Sequence, residues 1–195
     1  MHFRILHYDT LDSTNNLAIS FARENAREGT VVASEYQTHG RGRFKRRWRS
    51  PRGKGLLFSI ILRPNLKSSS ASILTHVAAQ SVADVLKNNF KLPAKLKKPN
   101  DVLVNGKKIA GILTESSAYH HRLEYVVIGI GLNINTQSKE LLKMATSLYI
   151  ETKRKIQKEE VLKAILKTFK ARYEHLNGRA VSAKNAQKAE VLQHA

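Results

Sequence analysis

The chain predicts one domain in which helices cover a β-sheet, of the α/β or α+β class. Its 195 residues, 42% of them hydrophobic, suffice for one well-buried core and are too few for two. Asn105-Gly106, set between VLV and KKIAGILTE, is a strong hairpin signal and demands antiparallel neighbours in the middle of the chain. Apolar residues recur at helical spacing in two long stretches, one after Ser70 and one after Lys158. A simple doubly wound nucleotide-binding sheet does not fit. No G-x-G-x-x-G opens a helix, GIGLNI lacks the third glycine, and no Walker sequence is present.

Taken in order, Phe3 to Tyr8 reads as a strand, and Ser13 as the cap of a helix that carries Leu17, Ala18, Phe21 and Ala22 on one face before Gly29 stops it. Thr30 to Tyr36 is β-rich. Gly55 to Leu62, GLLFSIIL, is a short apolar run bounded by glycine and Pro64, as expected of a buried strand. The helix beginning at Ser70 or Ser72 shows Ile73, Leu74, Val77, Val82, Val85 and Leu86 at helical spacing. The Asn-Gly hairpin follows, with a type I′ turn, then a turn over Tyr119 to Arg122 and a strand from Leu123 to Asn135. Ser138 to Ala145 is a helical candidate. Lys158 to Leu176 is a stronger one, with Val161, Leu162, Ile165, Leu166, Phe169 and Tyr173 on one face. Residues 1–178 are expected to form the domain and 179–195 a tail, frayed helix or disordered.

The net charge of +19 suits a polyanionic partner, a nucleotide, a nucleic acid or an acidic protein surface, although a lysine-rich proteome gives the same excess. The absence of cysteine removes disulfides, thiolate metal sites and cysteine nucleophiles. The amino terminus lacks an apolar core of signal-peptide length, and no run approaches the roughly 18 apolar residues of a membrane span. A soluble, cytoplasmic protein is expected.

Four stretches carry chemistry. GRGRFKRRW, Gly40 to Trp48, places five cations and two glycines in nine residues. Its arginines offer forked donors to phosphate or carboxylate oxygens, and Gly40 and Gly42 are expected to supply torsions closed to other residues. A solvated basic turn, or a nucleic-acid surface with Phe44 and Trp48 stacking on bases, explains the same composition. KKPND, Lys97 to Asp101, is a turn. In KKIAGIL, Lys107 to Leu113, Gly111 lets another group approach the strand, although a plain hairpin with lysines on its exposed end fits as well. In GIGLNIN, Gly129 and Gly131 bare a strand interior or mark a bulge, and Asn133 is able to read a polar ring edge.

In this order these stretches, with DSTNN at Asp12 to Asn16 and ATSL at Ala145 to Leu148, resemble the catalytic domain of biotin–protein ligases. The resemblance narrows the fold to α+β, a mixed, largely antiparallel sheet with helices packed on it. It implies an adenylate-forming enzyme that joins biotin to ATP as biotinyl-5′-AMP and then transfers biotin to a lysine of a carboxylase carrier domain. ATP and biotin are then substrates, and Mg²⁺ the expected cofactor. The biotin pocket would comprise Ser13, Thr14, Asn15 and Gln37 at the ureido end, Gly40, Arg41, Gly42 and Arg43 around the valeryl chain, and Lys108, Gly111, Gly129 and Gly131.

Lys108 and Arg43 take the catalytic roles by resemblance, and Arg43, Arg46, Trp48, Lys97, Asn100 and Asn133 the ATP site. Asp101 would orient Mg²⁺ or the incoming amine, with no dedicated metal site. Two departures stand out: Lys98 occupies the tryptophan position of the family's K-W-P-N-D motif, and neither an N-terminal helix-turn-helix nor a C-terminal β-barrel is expected. No DNA-binding domain or membrane partner is anticipated, and homodimerisation is left open. The alternatives are a lipoate–protein ligase of the same fold and a basic nucleic-acid-binding module without turnover.

Overall fold

The computed structural model describes residues 1–193, with side chains described through Leu176. The strands are β1 (Arg4–Leu11), β2 (Thr30–Gln37), β3 (Gly55–Leu62), β4 (Ala94–Lys97), β5 (Asp101–Val104), β6 (Lys107–Tyr119) and β7 (Arg122–Asn133). They form one sheet in the order β1-β2-β3-β7-β6-β5-β4. β1 and β2 pair in parallel and every other neighbour is antiparallel. The mixed, largely antiparallel α+β sheet is therefore the one expected. Its two tight turns both carry positive φ at their central residues, Asn105 and Gly106 in one and His120 and His121 in the other. That is the twist a two-residue hairpin requires.

Helices α1 (Thr14–Arg23), α2 (Ala71–Phe90), α3 (Leu148–Thr152) and α4 (Lys158–Gln193) cover the sheet unequally. The alternating residues Phe58, Ile60, Leu62, Val126, Ile128 and Ile130 face α2 and α4 and bury the main core with Leu74, Val82, Leu86, Ile165 and Phe169. Ile61 and Val127, one residue out of phase, meet Ala18 and Ala22 of α1 on the opposite face. Among the described residues α1 is the one helix on that second face, so part of it remains available for a site.

Some expected boundaries shift. α1 ends at Arg23, where Asn25 takes the left-handed conformation (φ 61°), so the chain leaves the helix before Gly29. Gly29 itself is a close approach: a Cβ there would lie 2.1 Å from the His2 carbonyl oxygen. Ser13 occupies the cap position in extended backbone but its side chain makes no cap bond. Ile73, placed by periodicity on the buried face of α2, is 43% exposed, whereas the next residue, Leu74, is fully buried. Between Ser138 and Ala145 only a single 3₁₀ turn forms, Ser138–Glu140, tied down by the Lys54–Glu140 ion pair. The hydrogen bond from the Lys54 ammonium and one from the Gln137 backbone hold the Glu140 carboxyl below its ordinary pKa. α3, which periodicity missed, is one turn capped by Ser147, whose hydroxyl accepts from the Ile150 N–H. α4 continues past residue 176 into the segment expected as a frayed or disordered tail. Residues 194–195 of that segment lie outside the described residues.

Phe169 is fully buried and stacks on Tyr173 with ring centroids 5.7 Å apart. Phe169→Ala should cost about 3–5 kcal/mol of stability, whereas Ile73→Lys should stay within about 0.5 kcal/mol. Urea unfolding midpoints of the two variants check this ranking.

Candidate active site

On the face shared with α1 the centre of the sheet is bare. Gly111 pairs with Gly131 across β6 and β7, and Gly129 sits between Leu113 and Ser59 of the flanking strands. A β-bulge then corrects the parity of β6. Val102 pairs with Ala110 but Leu103 with Lys108, so Ile109 and Ala110 both enter the main core. Lys108 and Gly111, three residues apart, thereby share the bare face. Asp101 lies opposite Gly111 on β5 and reaches the same place.

The glycines are needed because two side chains lie directly on them. A Cβ on Gly129 would fall 2.0 Å from Asn15 Oδ1, and one on Gly131 would fall 2.4 Å from the Trp48 ring. Neither contact survives any larger residue.

At the Gly129 end Thr14, Asn15 and Ser59 are neutral and buried, and Gln37 is half-buried. Thr14 donates its N–H to Gln37 Oε1 at 2.7 Å, and its hydroxyl lies 3.1 Å from the same oxygen. The Ser59 hydroxyl donates to Asn15 Oδ1 at 2.6 Å and lies 2.8 Å from the Thr14 hydroxyl. Asn15 Nδ2 donates to the Leu113 carbonyl and to Glu115 Oε2. Asn15, expected as a ligand-binding residue, is thus 3% exposed with all three of its polar directions engaged by the protein. It holds the wall of the pocket. Ser59 and Glu115 were missed by the sequence reading. The signals for them were a lone hydroxyl inside the apolar run GLLFSIIL and a lone acid closing KKIAGILTE, each a polar group that burial obliges to find a partner.

At the Gly131 end the groups are aromatic and cationic. Lys108 Nζ is 2.7 Å from Asp101 Oδ1 and 5.4 Å from the centroid of Trp48. The Lys108 backbone bonds to Met144 and Thr146, pinning the 141–147 segment beside it. Asn133 Nδ2 donates to the Thr146 carbonyl at 2.9 Å and secures the same segment. Asn100 bonds Ile112 through both backbone and side chain, fixing the turn that presents Asp101.

The basic loop folds as a small hairpin, with Trp48 N–H donating to the Gly40 carbonyl and Gly42 N–H to the Arg46 carbonyl. The expected torsional role of its glycines is not what is found. Gly42 is extended (φ −129°), and the left-handed residues are Phe44 (φ 55°) and Lys45 (φ 58°). Gly40 serves close approach instead, since a Cβ there would meet the Trp48 carbonyl oxygen at 2.4 Å. Arg41 pairs with Glu115 and Asn16. The Arg43 guanidinium lies 4.8 Å from the Phe44 ring, and with Arg46 and Arg47 it lines a cleft of about 660 Å³ that also borders Pro99 and Asn100. Lys97 stands exposed on the edge strand opposite Asp101. The structure therefore assembles a neutral end and a cationic end on one floor, with arginines at the rim that have no acidic partner among the described residues.

Residues 8–133 match the family model described as the Biotin/lipoate A/B protein ligase family. The chain is 41% identical over 173 residues to the bifunctional ligase/repressor BirA of Bacillus subtilis, covering 87% of this chain and 53% of that protein. It is also 41% identical over 125 residues to a biotin–[acetyl-CoA-carboxylase] ligase of Paracoccus denitrificans, covering 63% and 51%. The chain thus spans about half the length of the curated relatives it matches. Among solved structures it is similar to the biotin protein ligase from Aquifex aeolicus in complex with biotin and ATP, with TM-score 0.76, 31% identity, and coverage of 90% of this chain and 72% of that one.

Because Trp48 is the only tryptophan, its seat on Gly131 can be read directly. Gly131→Ala should expel the indole at a cost of about 1–3 kcal/mol and shift its fluorescence to the red. An emission maximum unchanged from the parent protein would show that the indole does not rest on Gly131.

Proposed function

The chain belongs to the biotin/lipoate A/B protein ligase family, and on that premise we propose that it is the catalytic domain of an ATP-dependent biotin–protein ligase. The observation that carries this reading is the polarity of the floor: neutral groups around Thr14 and Gln37 at one end, Lys108 at the other. That arrangement matches a ligand with a neutral polar head and a carboxylate tail.

In the first step a biotin carboxylate oxygen attacks the α-phosphorus of ATP, the bond from that phosphorus to the bridging oxygen breaks, and pyrophosphate leaves. In the second the amine of a carrier-domain lysine attacks the acyl carbon, AMP departs, and the amine loses a proton. Two anions must meet before the first bond forms, and at about 5 Å with an effective dielectric near 20 they repel by about 3 kcal/mol. Lys108, held by Asp101 at 2.7 Å, is a fixed cation on the floor where the carboxylate would lie. It offsets the developing charge without reorganising. Arg43, Arg46 and Arg47, with no acidic partner among the described residues, suit the triphosphate. Asn133 and Trp48 flank the place for the nucleoside.

Asp101 is the carboxylate at this end, and among the described residues no group of three metal-ligating side chains accompanies it. That donor set suits Mg²⁺ held chiefly by phosphate oxygens, and the ion, when bound, would neutralise the leaving pyrophosphate. The acceptor is a biotin carboxyl carrier domain, a class of partner that accords with the name of the Paracoccus relative.

Lys108→Ala should lower pyrophosphate release in the presence of biotin and ATP by at least about a hundredfold. Biotin affinity, held by the neutral end, should weaken by less than about tenfold. Pyrophosphate release coupled to a colorimetric assay and calorimetric titration with biotin measure the two effects. Lipoate in place of biotin should give neither binding heat nor pyrophosphate, and turnover with lipoate would reassign the substrate.

A further inference from the structure

The basic loop carries Arg41, Arg43, Lys45, Arg46 and Arg47 and continues to Arg49, yet among the described residues only Arg41 has an ion-pair partner. That partner is Glu115, three-quarters buried on β6, 74 residues away in sequence. One carboxylate oxygen takes the Arg41 guanidinium. The other accepts from Asn15 Nδ2 at 2.8 Å. Asn15 then offers its Oδ1 to Ser59 against the Gly129 backbone, and Arg41 reaches on to Asn16 of the same helix.

We propose that Glu115 is a positioning residue that ties the basic loop to the buried wall of the pocket, so that the loop's seating and the orientation of Asn15 depend on a single carboxylate. Three physical reasons support this role. Asn15 presents its oxygen to Ser59 only while its amide nitrogen has acceptors, and Glu115 supplies the charged one. Cations packed at this density repel one another, and the loop has no other ion pair to hold its first arm down. Its closing hydrogen bonds, Trp48 to Gly40 and Gly42 to Arg46, lie within a few residues of Arg41 and should open when that arm is released. The inference concerns a residue outside the groups assigned to substrate, but its consequence for biotin rests on the functional reading above.

Glu115→Gln keeps the shape and an acceptor while removing the charge. In the protein without any ligand, hydrogen exchange at the Gly42 and Trp48 amides should quicken by about tenfold in the variant, while the core amides of β3 and β7 are unchanged. With biotin varied at saturating ATP, KM for biotin should rise by about tenfold with kcat within about twofold, since the carboxylate acts before chemistry. The cycle of Glu115→Gln, Arg41→Met and the double variant should be strongly non-additive, the double variant being no worse than Arg41→Met alone. Equal loop exchange in parent and variant overturns the proposal whether or not biotin is the substrate. So do additive effects in the cycle, or a fall in kcat at constant KM. A parent protein that shows no biotin-dependent turnover overturns the functional reading instead, and the exchange experiment still decides the role of Glu115.

Discussion

The constraint on which this structure depends is the absence of side chains at three neighbouring points of one sheet face. Gly111, Gly129 and Gly131 leave the backbone of β6 and β7 uncovered, and the molecule places Asn15 on one end of that floor and Trp48 on the other. Each is held from a different element, Asn15 by α1 and Trp48 by the loop after β2. The first closes a buried neutral network and the second lies on the floor beside Lys108. A Cβ at Gly129 or Gly131 would displace one of these anchors, and with it the elements that approach from above the sheet.

Electrostatics are distributed in the opposite sense. The neutral end is satisfied internally, with hydroxyls and amides bonded to one another, as burial requires. At the cationic end Asp101 meets Lys108, and beside Asn15 Glu115 meets Arg41, whereas the remaining loop cations have no acidic partner among the described residues. Unspent positive charge at the rim, with neutral donors and acceptors inside, is the arrangement expected where a ligand brings its own negative charge to one end only.

Much of the fold was legible because its signals are local. The Asn105-Gly106 turn, the apolar run of β3 and the 3.6-residue periodicity of α2 and α4 each state a preference within a few residues, and each element appears where expected. Boundaries were less legible. α1 ends at Arg23, short of Gly29, because Asn25 takes the left-handed conformation that the sequence suggested a glycine would supply. Ser138 to Ala145 has apolar residues but nothing to pack them on, and Leu142 and Met144 stay 84% and 67% exposed.

The sequence by itself determined which chemical groups are present and their order, because residue type sets charge, hydrogen-bonding capacity and the torsions open to the chain. It therefore announced a glycine-arginine loop, a lysine on an apolar strand and a pair of glycines in another. Only the tertiary structure decided which of these meet. The bulge at Ile109 and Ala110 brings Lys108 onto the face of Gly111, a parity that reading along a strand with period two assigns wrongly. Glu115 and Ser59 gained their roles from partners 44 to 100 residues distant. Gly40 and Gly42 proved to matter for close approach and hydrogen bonding rather than torsion. Such pairings are fixed by sheet register and packing, which depend on every strand at once, and no short stretch of residues carries them.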